Sequence, residues 1–93
     1  MNNVSIIGRI TNELILSNTR DGKPALVFSI AINHGDFTDF VPCTCYGGTA
    51  ETVAKHFEKG QRIGISGHLH SYVPSGEKLS KLIVVVDTFS WCD

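Results

Sequence analysis

This chain has no excess of positive charge: eight Lys and Arg stand against nine Asp and Glu, a formal net charge of -1. A chain that gathers polyanions through its overall charge would be basic, so any phosphate partner must be met by the placement of cations and not by their sum. Cysteine is scarce too. Three thiols, an odd number, argue against a disulfide framework as the organising device. No window approaches the roughly 18 apolar residues that span a bilayer, and the polar start Met1-Asn2-Asn3 has none of the apolar core of a secretory leader. A cytoplasmic protein with no membrane partner is expected. There is also no glycine-rich phosphate loop, no Gly-x-Ser-x-Gly and no His-Glu-x-x-His, so nothing supports an enzyme or a bound cofactor.

What is present is a strand pattern broken by turn chemistry, with no repeat and no linker, which predicts one domain over residues 1–93. Val4, Ile6, Gly8 and Ile10 alternate with Asn3, Ser5, Ile7 and Arg9, and Asn18 to Gly22 supplies a turn. Phe28, Ile30 and Ile32 form the inward face of a second strand, opposite Val27, Ser29 and Ala31, before a loop over Asn33-His34-Gly35-Asp36. From Thr49 the period changes to that of a helix: Ala50, Val53, Ala54 and Phe57 share a face, with Thr49 as the expected cap and Gly60 as the stop. A fourth strand then points Ile63, Ile65, Gly67 and Leu69 inward and Arg62, Ser66, His68, His70 and Tyr72 outward. Pro74 to Glu77 turns the chain into Leu79–Asp87, where the run Leu82 to Val86 is apolar on both sides and so reads as buried on both.

The segment Asp39 to Tyr46 is the most informative. Side chains alternate across a strand, so Phe40, Pro42, Thr44 and Tyr46 share one face while Val41, Cys43 and Cys45 share the core face. Two rings and a hydroxyl on the outer face have no apolar set of their own to pack with. Flat rings turned away from a core suit the π-faces of nucleic-acid bases.

Gly8-Arg9-Ile10-Thr11, Asp21-Gly22-Lys23-Pro24, Asp39-Phe40-Val41-Pro42, Tyr46-Gly47 ahead of Ala50 to Ala54, Lys59-Gly60 and Gly67-His68-Leu69 follow one another in an order that resembles bacterial single-stranded DNA-binding proteins. The resemblance runs from Asn2 to about Val86 and implies an OB fold, all-β with one helix, in which a five-stranded Greek-key barrel carries its helix between strands 3 and 4. It also implies base stacking on Phe40 and Tyr46, with further aromatic positions at Phe37 and Tyr72, and with Thr44 on the same face. Phe37 serves equally well as a local core plug, and Tyr72 as a solvated strand end. Arg9, Lys78, His68 and His70 are the expected phosphate contacts, His70 standing where relatives commonly have arginine. Gly48 and Pro42 occupy positions where relatives can be basic, so the expected binding is weaker and less salt-dependent.

Four histidines and three cysteines invite a metal reading, but parity sends Cys43 and Cys45 inward and His68 and His70 outward, so they do not form a four-ligand set. Lys55, Glu58 and Lys59 read as solvated surface charge. The implied partner is single-stranded DNA, bound with little sequence preference by a homodimer or homotetramer during replication, recombination or repair. No acidic, Phe-ended tail of the family's kind follows the matched stretch, which puts recruitment of replication or recombination proteins in doubt. An alternative resemblance, to primosomal replication protein N, would make the same face a docking site for protein.

Overall fold

The computed structural model describes residues 1–92. In order they form β1 (Val4–Ile10), β2 (Ser17–Asn18), β3 (Pro24–His34), β4 (Phe37–Tyr46), α1 (Gly47–His56), β5 (Arg62–Tyr72) and β6 (Lys81–Trp91). The five long strands are hydrogen-bonded in the order β1-β5-β6-β4-β3, and β3 returns to β1, so the sheet closes on itself. That is the expected barrel, with α1 between the third and fourth long strands. The short β2 is an addition, paired to the start of β3.

Closure depends on one strand serving two neighbours. β1 pairs with β5 from Val4 to Arg9 and with β3 at Arg9 and Ile10, so the chain must bend where the two ladders meet. Gly8 sits at that bend, and a Cβ built on it would stand 2.7 Å from the Ala31 carbonyl oxygen. Only a residue without a side chain lets the strands approach so closely. The other closing seam is the parallel pairing of β4 with β6, Cys43 opposite Val84 and Thr44 opposite Val85.

The core follows from the alternation. Ile10, Leu26, Phe28, Ile30, Cys43, Cys45, Val53, Ile63 and Val84 are fully buried. Each large aliphatic or aromatic side chain removed from water in this way contributes on the order of 1.5–3 kcal/mol. α1 closes one end of the barrel with Ala50 and Val53, and Phe57 beyond its last residue is buried beside them.

Burial holds Cys43 and Cys45 protonated. Removal from water pushes the Cys43 thiol up to about 12, with neighbouring Cys45 adding to the effect, and desolvation raises Cys45 to about 11. In the native protein a disulfide-exchange thiol reagent is therefore expected to modify partly exposed Cys92 alone, with the other two reacting after unfolding. Fast modification of all three in the folded state would show that the barrel opens locally.

Four details differ from the sequence reading. The helix begins at Gly47, two residues before Thr49, because Gly47 takes φ +63° and turns the chain directly off the strand. Tyr46 is then the N-cap, without a side-chain bond, and the helix ends at His56 because Phe57 turns extended, its N–H still donating to the Val53 carbonyl. The loop expected over Asn33 to Asp36 is shorter, since β3 and β4 pair as far as His34 and Phe37, leaving only Gly35 and Asp36 to turn and making Phe37 the first residue of β4. The run Leu82 to Val86 is not buried on both sides: Val84 and Val86 are buried and Leu82 is exposed. Leu69, expected inward, is 42% exposed, because the far halves of β5 and β6 extend beyond the barrel as a two-stranded arm. No helix among the described residues is long and apolar enough to cross a membrane.

Candidate nucleic-acid interface

The arm and the outer face of β3 and β4 form two walls of an open groove. Its volume is about 340 Å³, and it is lined by Val27 from β3, Thr44 and Tyr46 from β4, His70 and Tyr72 from β5, and Ile83 from β6. A second, smaller hollow of about 120 Å³ adjoins it through Ile83 and is lined by Phe40, Val41, Pro42, Leu69 and Leu82. Among the described residues, no carboxylate lines either hollow. From Phe40 to Tyr46 the face runs along six residue steps of β4, about 20 Å.

The expected aromatics are placed unequally. Phe40 is 65% exposed at one end of this face, and Tyr46, 45% exposed, stands across the groove from Tyr72 at the other. Phe37 is exposed but lies further out, at the tip of the β3–β4 hairpin, and lines neither hollow. Thr44 is on the expected face, yet only 4% exposed, because β6 pairs alongside it at Val85. It forms the floor and presents little surface to a ligand.

Of the expected phosphate contacts, His70 is in the groove. His68 is on the same face, but its Nδ1 lies 3.1 Å from Asp87 Oδ2, so a carboxylate already occupies the place a phosphate would take. The pairing explains this. Ser66 faces Thr88 and Gly67 faces Val86, which leaves Asp87 as an extra residue at a bulge beside His68. Lys78 is exposed in the turn of the arm beyond Tyr72, while neighbouring Lys81 is 3.5 Å from Glu77. Arg9 lies outside the groove, on the row of cross-strand partners that includes Ala31 and Phe40, with its Nη1 donating to the Gly60 carbonyl at 3.1 Å.

The arm's root is held by Asn2, whose Nδ2 donates to the Leu69 carbonyl at 2.9 Å and whose Oδ1 accepts from the Leu69 N–H at 2.8 Å. Asn2 had no reading in the sequence, and neither had Val27 or Ile83 as groove residues. Val27 was visible only as an apolar residue on a face otherwise small or polar. Ile83 was hidden in a run without alternation.

A closed five-stranded barrel with an interposed helix, and an aromatic groove between its sheet face and a projecting arm, defines an oligonucleotide-binding fold. The model of the single-strand binding protein family matches residues 1–91. The chain belongs to that family. It is 31% identical over 99 residues to a single-stranded DNA-binding protein of Fusobacterium nucleatum, covering 95% of this chain and 64% of that protein. It is 33% identical to one of Clostridium perfringens, covering 100% and 67%, and 38% identical over 77 residues to single-stranded DNA-binding protein 1 of Clostridium acetobutylicum, covering 74% and 70%. The chain thus spans about two thirds of the length of the curated relatives it matches.

Proposed function

We propose that this chain binds single-stranded DNA with little sequence preference, stacking bases on Phe40, Tyr46 and Tyr72 and meeting phosphates with His70 and Lys78. The observation that carries this is the pairing of exposed rings with a groove that no carboxylate lines among the described residues. Stacking tolerates any base, because each has a π-face, so the arrangement holds a strand without reading it. It acts by binding alone, keeping strands open and protected during replication, recombination and repair.

A titration of labelled oligo-dT at low salt tests the reading, with duplex DNA as the comparison. Single strands should bind and duplex should not compete. Because His70 and Lys78 are few, log affinity should fall with log salt by only about 0.7 for each phosphate met. Absence of binding at low salt would leave the protein-docking alternative standing.

The assembly we propose is a homodimer or homotetramer. Among the described residues, β1 is paired on one side only from Val4 to Gly8, since its ladder to β3 begins at Arg9. An unpaired strand edge invites pairing with another chain, and a second copy offers the same edge. Light scattering at micromolar concentration should give at least twice the chain mass; a monomer would overturn the assignment.

A further inference from the structure

The cations of this protein are not gathered around the groove. Arg9, Lys55, Lys59 and Arg62, four of the eight, lie at the end of the barrel closed by the last turn of α1, with Glu58 an acid among them. Among the described residues, none of Arg9, Lys55 and Lys59 pairs with a carboxylate. The same end carries an exposed ring. Trp91 is 57% exposed, although one face of its indole is stacked on Phe57 with centroids 5.1 Å apart and planes 19° apart. His56 meets it edge-on at 6.2 Å, and Phe89 at 5.5 Å. Phe57 is itself buried, so the indole is held on one side by the core and left open on the other.

This end is joined to the groove face. Phe40 on β4, Ala31 on β3, Arg9 on β1 and Arg62 on β5 are successive cross-strand partners, so their side chains share the outer surface along a row of about 15 Å. Ile63, next to Arg62, points inward and pairs with Trp91, so the indole lies on the inner side of the sheet at the barrel's rim, while Arg9 reaches that rim through its bond to the Gly60 carbonyl, next to Lys59. A strand leaving the groove at Phe40 would cross Arg9, turn over the rim at Gly60 and Lys59 and meet the tryptophan there.

Resting on the reading of single-stranded DNA as the ligand, we propose that Trp91 is a second stacking platform, and that Arg9, Lys55 and Lys59 hold the phosphates of the same strand as it passes from the groove to the helix end of the barrel. A fixed indole beside cations that no carboxylate neutralises is the combination by which single strands are bound without sequence readout. It also accounts for the groove's poverty in cations, because a share of the phosphate contacts is made elsewhere.

Trp91 is the only tryptophan, so its emission reports on this site without any substitution. The probes are an oligo-dT of about 8 nucleotides, near the lower end of the site sizes of such folds, and one of about 30. The long strand should quench Trp91 strongly and the short one weakly at equal occupancy, occupancy being read from the anisotropy of a label on the DNA. A variant carrying Lys55→Gln and Lys59→Gln should bind the long strand more weakly, with a salt slope shallower by about 1.4, and bind the short strand as the parent does. Binding of both strands with unchanged Trp91 emission, or a double variant equal to the parent on the long strand, would overturn the second platform and leave the groove reading intact. Failure of either strand to bind the parent would overturn both.

Discussion

Replacing Phe40 or Tyr46 with alanine should weaken oligo-dT binding by about 1–3 kcal/mol each, because each base that loses its aromatic platform forfeits a contact of that size. In affinity this is about 5- to 150-fold, since about 1.4 kcal/mol is a factor of ten. The fold should survive both changes. Phe40 and Tyr46 are largely or partly exposed, and neither belongs to the buried core. Tyr46 caps α1 through its backbone alone, so losing the ring removes no capping bond. Tyr46→Phe provides the control: it keeps the π-face, drops the hydroxyl and should bind as the parent does. Unchanged affinity with both rings removed would sink the stacking assignment. Unfolding of either single variant would show that its ring serves the core.

The two rings could be read from the sequence because strand parity is a local rule. Phe40 and Tyr46 are six residues apart, an even number, and the intervening Val41, Cys43 and Cys45 mark the core side. The same rule fixed Ile63 and Ile65 inward and His70 outward, and the helical period fixed Ala50, Val53 and Phe57. Parity gives a face but not what stands on it. Thr44 shares the face of Tyr46 and is still buried, because β6 lies beside it through a parallel pairing between residues 41 positions apart. His68 shares the face of His70 and is paired to Asp87, because a bulge turns that carboxylate toward it. Leu69 has the parity of a core residue and stands outside the core, because the strand continues past the barrel's edge. In each case the missing information is a long-range pairing, which no local period contains. Arg9 shows the same limit from the other side: its outward direction was legible, and its place at the meeting of three strands was not.

The bulge that brings Asp87 to His68 also sets the protein's most fragile backbone position. A Cβ built on Gly67 would lie 1.9 Å from the Val85 carbonyl oxygen, 2.9 Å from its carbon and 3.1 Å from the Val86 Cα. All three are backbone atoms of the adjacent strand, so no rotamer change relieves the contact, and β5 and β6 would have to separate. Overpacking that forces backbone shifts costs about 1–3 kcal/mol and occasionally more, and this case belongs at the upper end. For a domain of this size, about 3 kcal/mol lowers the melting temperature by roughly 12–24 °C. Gly67→Ala should show that loss, while Gly64→Ala on the same strand should melt close to the parent. At Gly64 the nearest atoms to the new methyl would be Ser90 Oγ at 2.8 Å, Cys92 Sγ at 3.3 Å and Ile7 Cγ1 at 3.7 Å, all of them side-chain atoms that can move aside. Below its melting point, Gly67→Ala should also bind oligo-dT more weakly, since His70 and Tyr72 stand on the arm that begins at this bulge. Equal melting of the two variants would mean that the bulge absorbs the methyl, and that the close approach of β5 to β6 is not what holds the arm against the groove.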